Sequence, residues 1–374
     1  MIAPLIPTLS RDLGVSVQRV GLAVPAYMVA YGVATLAYGL ASDRFGRRRL
    51  MFASLAALVA LTAGTATAGS ATELIVWRLA TGLGAAGVVP LALTEIGASY
   101  PFAQRGRPLG WLFAAMAGGM AFGAALGALA APLIGWRGLF LIVAGLTATI
   151  VWPLAIDRSH IGGRDPARHA TLAGMLAGFC AILSEPRARR TYAFVAINSI
   201  FHSGVFTWLG LYFVRRYELD EVGIALAIAG YGIPGFLFGP WIGRAADRWG
   251  RRWILPAGLA VGSIGAAAFI PVTDLVVANL AVVVLSLGYD LTQPLLAGIV
   301  TTIGGPARAG QAMGLNVFIL FTGFGVGAFI FGALLPFGLT TGLAVFAVGE
   351  LILAAAGFWL LRGERPMLAS PTET

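Results

Sequence analysis

Ionisable and amide side chains stand inside long apolar runs of this chain, where they are expensive to hold and are therefore candidates for function. Asp290 lies in "SLGYDLTQPLL", about 15 residues, or ~22 Å, along its run. A carboxyl in a semi-apolar cavity is what a proton carrier requires, and Pro294, one turn on, frees backbone polar groups beside the amide of Gln293. The alternative for Asp290 is a structural acid, hydrogen-bonded between helices. Arg78 sits early in its run, where its guanidinium either meets an acid or an anionic group in a cavity or snorkels to the interface. In "FVAINSIFHSGVFTWLGLYF", Asn198, His202 and Phe206 recur at i, i+4 and i+8 and share one helix face. Such a stripe suits a substrate cavity or a proton relay; an interhelical hydrogen bond by His202 fits equally. Tyr27, Tyr31, Phe206, Trp208 and Tyr289 are available to line a cavity for amphipathic solutes, or to face lipid. Glu350, midway along the last run, has no role in this scheme, and Glu95 lies near the end of its run.

These residues need an apolar scaffold, and the composition supplies one. Hydrophobic residues are 58% of 374 and the mean hydropathy is +0.86, far too apolar for a soluble globule. The chain reads as an all-α polytopic membrane protein, because runs of about 20 apolar residues suit helices rather than a barrel. Net charge is +9, but the 25 basic residues, all arginine, sit in short intervals between apolar runs instead of on one soluble face, so no nucleic-acid partner is expected. Cys180 is the lone cysteine, and His160, His169 and His202 lack metal-ligand spacing, so neither a disulfide nor a metal site is expected. No cluster of nucleophile and acid/base groups marks an enzyme, and no G-x-x-x-x-G-K-[ST] loop marks an ATP-driven pump. No cofactor is expected, and the energy source is a proton gradient.

Eleven crossings are expected, near 20 to 41, 50 to 70, 73 to 97, 108 to 132, 138 to 156, 191 to 214, 221 to 243, 253 to 272, 275 to 299, 310 to 335 and 339 to 361. "MIAPLIPTL" is too short to span and reads as the end of a first helix that is missing. Alternating the loops puts 19 arginines on one side and five, Arg11, Arg19, Arg137, Arg215 and Arg216, on the other. The positive-inside rule makes the first side cytoplasmic, with the C-terminus there, in a plasma (bacterial inner) membrane.

The densest charge cluster, "GLASDRFGRRRL" at 39 to 50, occurs twice. Gly39, Asp43, Arg44, Gly46, Arg47 and Arg48 recur as Gly243, Asp247, Arg248, Gly250, Arg251 and Arg252, at an offset of 204. The same offset relates Tyr27 to Tyr231, Gly110 to Gly314, Gly119 to Gly323 and Gly123 to Gly327. Two half-chains of one layout are a mark of repeat-built transporters.

The duplicated G-x-x-x-D-R-x-G-R-R pattern resembles the major facilitator superfamily over essentially the whole chain. "RLATGLGAAG" from Arg78, "GWRGLF" at 135 to 140 and "SEPRARR" at 184 to 190 resemble its fourth-helix motif, a further motif and its central linker. The resemblance implies two six-helix bundles, residues 1-156 and 191-362, a cytoplasmic linker at 157-190 and a tail at 363-374. It implies a monomeric, proton-coupled carrier of a small molecule, working by alternating access. Efflux of an amphipathic drug or metabolite leads, with uptake or facilitated diffusion of a sugar or organic acid as the alternative and a transporter-like sensor as a reading from another class. It further implies that the duplicated loop, with Gly39, Asp43 and Arg44 and their repeats, latches the bundles on the cytoplasmic side; orientation alone would also explain Arg47 to Arg49. Gly119, Gly123 and Gly127, spaced by four, form a smooth ridge for helix packing or gating. The ridge also resembles the antiporter motif G-x-x-x-G-P-x-x-G-G, with Ala124 in place of the proline and Ala128 in place of the last glycine.

Overall fold

The structure is a computed structural model that describes residues 2–99, 106–156, 171–271 and 274–364. Every expected crossing is helical. In chain order the helices are α1 (Ile2–Leu13), α2 (Val17–Gly21), α3 (Ala23–Phe45), α4 (Arg47–Thr65), α5 (Ala71–Ala85), α6 (Val88–Ser99) and α7 (Gly106–Ile156), then α8 (Leu172–Ser184), α9 (Pro186–Tyr217), α10 (Glu221–Ile228), α11 (Ile233–Trp249), α12 (Arg251–Ala267), α13 (Leu275–Asp290), α14 (Gln293–Val300), α15 (Gly305–Leu334) and α16 (Leu339–Leu360). Among the described residues, eight helical stretches are long and apolar enough to cross a membrane. The other three expected crossings fall on α4, the first limb of α7 and α12. Arginines open α4 and α12 and shorten their apolar lengths to less than a full span.

Single glycines turn the chain between antiparallel helices. Gly46 (φ 84°, ψ 134°) joins α3 to α4, and its repeat Gly250 (φ 82°, ψ 148°) joins α11 to α12. That backbone region is open almost only to glycine. At the other membrane face, Gly135 (φ 68°, ψ 162°) folds α7 into two limbs and Gly338 (φ 104°, ψ 149°) joins α15 to α16. The repeated motif therefore contains its own turn.

The interval expected as a polar linker is only partly so. Residues 157–170 lie outside the described residues, but α8 is an apolar helix whose Phe179 and Ile182 enter the core against α9 and α15. The expectation read the charges that flank this segment and overlooked its apolar centre.

The two half-chains meet along α3 and α15, which also packs on α9. A Cβ at Gly32 would stand 2.6 Å from Thr322 Oγ1, and one at Gly325 would stand 3.2 Å from Pro25 O, so these glycines let the helices approach closely. Gly323 abuts Ser199 and Gly327 abuts the Ile200 carbonyl. Their repeats behave differently. No described atom lies within 4 Å of a Cβ placed on Gly119 or Gly123, although Gly127 is buried. Helix α15 is sandwiched between α3 and α9, and α7 packs on α4 and α10.

At the face that carries Arg11 the half-chains are joined. Arg11 pairs with Glu221, and Thr8 donates to Glu221 Oε1 at 2.9 Å. Trp208 of α9 is wedged between Gly21 and Gly332 and donates its indole N–H to Ala328 O at 3.1 Å. Trp208 is a buried packing residue on the Arg11 face.

Candidate functional site

Spanning helices are broken where α5 meets α6, α10 meets α11 and α13 meets α14, and each of these breaks has its own side-chain partners. Where α5 gives way to α6, the Gly84 carbonyl accepts from Tyr38 Oη at 2.9 Å and Ser54 Oγ at 2.6 Å, and Gly87 N–H donates to Ser54 Oγ at 3.2 Å. Between α10 and α11, Gly232 N–H donates to Ser286 Oγ at 2.7 Å. Between α13 and α14, Thr292 Oγ1 donates to Gly288 O at 2.8 Å and accepts from Asn198 Nδ2 at 3.0 Å. Backbone groups freed within a bilayer must find such partners, and discontinuous helices of this kind build transport sites.

Asp290 ends α13, 15 residues past Leu275 and so about 22 Å along that helix. Ser286 Oγ donates to Asp290 Oδ2 at 3.3 Å while accepting from Gly232, which ties the carboxylate to the α10/α11 break. Gly235 leaves it room: a Cβ there would stand 2.7 Å from Asp290 Cγ. Asp290 is half-buried, and Gln293 is buried with Nε2 unpartnered.

The helical stripe on α9 does face this site. Asn198 reaches Thr292, the His202 ring meets the Tyr289 ring edge-on at 5.2 Å, and Phe206 packs on Tyr231 at 4.4 Å. Both His202 ring nitrogens and Asn198 Oδ1 are buried and find no partner among the described residues. Asn198 makes its interhelical hydrogen bond, and among the described residues His202 makes none.

Arg78 is seven residues past Ala71, about 10 Å along α5. Val76, Leu79 and Leu83 form the exposed apolar face of that helix. Arg78 lies on the other side with Gly82, whose missing side chain lets it abut the Tyr27 carbonyl. Its guanidinium stacks over the Tyr27 ring at 4.1 Å, its Nε is buried without a partner among the described residues, and the residue as a whole is half-buried. Arg78 therefore points into the protein rather than snorkelling.

From Arg78 an unbroken run of aromatic contacts crosses between the half-chains. Tyr27 meets Tyr31 at 5.9 Å, Tyr31 stacks on Phe321 at 4.2 Å, Phe321 meets Phe324 at 5.8 Å, and Phe324 meets Tyr289 at 6.4 Å, next to His202 and Asp290. Sequence reasoning did not find this run, nor Ser286, Gly235 or Thr292. Its one available signal was the repeat pair Tyr27 and Tyr231, of which one lies under Arg78 and the other against Phe206.

The expected latch is only partly described. Gly39, Asp43, Arg44, Gly243, Asp247 and Arg248 lie on helices, but their side chains are outside the described residues. Arg47 and Glu95 each engage a neighbour. Arg251 lies against Gly298 of α14 with its Nε unpartnered. Glu350 is buried in α16 with both carboxyl oxygens unpartnered among the described residues, one turn from the Ala347 carbonyl that accepts from Ser263 Oγ at 2.7 Å.

A multi-pass helical protein with repeated halves, and with charged groups at breaks in its spanning helices, has the layout of a secondary membrane transporter. The chain belongs to the Major Facilitator Superfamily, whose profile matches residues 1–328 and again 219–374. It is 25% identical over 281 residues to the probable L-galactonate transporter of Escherichia coli, covering 68% of this chain and 57% of that one. It is 26% identical over 311 residues to the niacin transporter NiaP of Acinetobacter baylyi, covering 72% and 66%. Among solved structures, a D-xylose–proton symporter superposes with a TM-score of 0.75 at 16% identity, over 96% of this chain and 92% of that one. These two relatives are named as transporters, and the chain spans about 57 to 66% of their length.

Proposed function

We propose that the protein is a proton-coupled carrier in which two bundles, residues 1-156 and 191-362, rock about a central site, with Asp290 as the proton carrier. The observation that carries this is the placement of Asp290: half-buried at the end of α13, held by Ser286 and Gly235 at a neighbouring helix break. A carboxylate so placed changes partners when α11 moves against α13, which is what coupling a proton to a conformational change needs. The Arg11 face is closed by Trp208 and the Arg11–Glu221 pair. The positive-inside rule assigns that face to the outside of the cell, which agrees with an inward-facing conformation and a cytoplasmic C-terminus.

Efflux by proton antiport is the leading direction. Uptake of an organic acid by symport is the second reading, favoured by Arg78, an inward-pointing cation to which no described residue offers a carboxylate. The relatives named for L-galactonate and niacin, and the fold shared with a D-xylose–proton symporter, agree with a proton-coupled carrier of small metabolites.

The test uses inside-out vesicles with an acidified lumen, a pH-sensitive dye, and a panel of drugs, sugars and organic acids. Lumen alkalinisation that needs both a solute and an intact Asp290 is expected. Undiminished coupling in Asp290→Asn would remove Asp290 as the carrier, and solute-driven acidification of the lumen would reverse the direction.

A further inference from the structure

The reading of the protein as a transporter leaves its solute open, and the surroundings of Arg78 narrow the class. A guanidinium within the bilayer depth needs an anion or a dense set of acceptors to offset its lost hydration. Arg78 has neither among the described residues: its one close partner is the face of the Tyr27 ring at 4.1 Å, and its Nε is buried and unpartnered. The residue as a whole is half-buried. Its flat fork of donors fits a carboxylate in a two-point contact.

What lies beside that fork is aromatic. Tyr27 leads to Tyr31, and Tyr31 stacks on Phe321 at 4.2 Å and 30°. Tyr31 belongs to α3 and Phe321 to α15, so this stack is a joint between the half-chains that alternating access has to part. A planar ring entering the parted joint would replace one ring–ring contact with two, at a separation of about 7 Å between Tyr31 and Phe321. A neutral sugar would leave Arg78 without an anion and the aromatic faces without a matching partner.

We propose that Arg78, Tyr27, Tyr31 and Phe321 form a subsite for a planar aromatic carboxylate, with the carboxylate on Arg78 and the ring between Tyr31 and Phe321. This rests on the transporter reading for its purpose but not for its binding chemistry. Either direction of transport is compatible with it.

The test compares three probes of similar size, benzoate, benzamide and cyclohexanecarboxylate, by calorimetric titration of the purified full chain and by uptake into proteoliposomes. Benzoate should bind about 10- to 100-fold more tightly than benzamide, the worth of a charged hydrogen-bonded pair, and about 3- to 10-fold more tightly than cyclohexanecarboxylate, the worth of ring stacking. Arg78→Gln should bring benzoate down to the benzamide level. Tyr31→Leu should erase the preference over cyclohexanecarboxylate and keep the preference over benzamide. If Arg78→Gln does not fold, Arg78→Lys, which keeps the charge but loses the fork, should weaken benzoate and leave benzamide unchanged. Equal binding of the three probes, or an Arg78 variant that keeps full discrimination, overturns the proposal. Benzoate bound with this discrimination but never moved would uphold the subsite and sink the transporter reading. A hexose or nucleoside moved in its place would do the reverse.

Discussion

Replacing Gly288 by alanine tests whether the helix contact beneath Asp290 is as close as the structure has it. The new Cβ would stand 2.5 Å from Gly262 Cα, 2.6 Å from Gly262 N and 3.1 Å from Gly258 O. Carbon atoms rest at about 3.5–4.0 Å, so α12 and α13 must separate by about 1 Å. The atoms met are backbone, and no side chain can rotate away to relieve them. Overpacking of this kind costs about 1–3 kcal/mol, partly offset by the roughly 1 kcal/mol that alanine gains over glycine inside a helix. Gly349→Ala on α16 is the control, since no described atom lies within 4 Å of its Cβ and only the helix-propensity gain applies. The difference between the two variants therefore isolates the packing contribution, about 1–3 kcal/mol. It is read from unfolding in one detergent under identical conditions. Tyr289 and Asp290 follow directly in sequence, so proton-coupled flux in proteoliposomes should also fall, by about tenfold or more for a shift of that size. A Gly288→Ala protein as stable and as active as Gly349→Ala would refute the close α12–α13 contact and the placement of Asp290 built on it.

Gly46→Ala and Gly250→Ala should each lose about 1–3 kcal/mol, because both glycines hold backbone angles that alanine rarely adopts; unchanged melting in detergent would count against the single-glycine turns. The Arg11–Glu221 pair is exposed on the arginine side and so contributes only about 0–1 kcal/mol. Its effect should be on the conformational balance: in a Cys180→Ala background with cysteine at Gln18, Arg11→Glu should speed labelling from the Arg11 face, and adding Glu221→Arg should restore the parental rate. Labelling that stays fast in the double variant would assign the change to something other than this pair.

The crossings were legible because an apolar run long enough to span is nearly obligatory for a helix in lipid. Boundaries were less so. Helix α8 lies within an interval rich in arginines, and charge content masked a helix that packs through Phe179 and Ile182. Glycines illustrate a second limit. Gly123 and Gly327 are equivalent in the repeat, yet no described atom lies within 4 Å of a Cβ on the first, whereas the second abuts the Ile200 carbonyl. Nothing local distinguishes them, because the difference lies in which helix the fold puts alongside.

The sequence alone determined that this is a helical membrane protein of two repeated halves, and it singled out Asp290, Arg78, Asn198 and His202 as polar groups in apolar surroundings. Period and hydropathy carry that information along a single helix, with no knowledge of its neighbours. Only the tertiary structure decided that Trp208 is wedged between Gly21 and Gly332, that Arg78 points inward onto Tyr27, and that Ser286 and Gly235 hold Asp290. It alone joined Tyr31 to Phe321, 290 positions apart, in the stack that links the halves. Those relations depend on rotation and depth between packed helices, and the hydrophobic effect that drives a segment into the bilayer is indifferent to both.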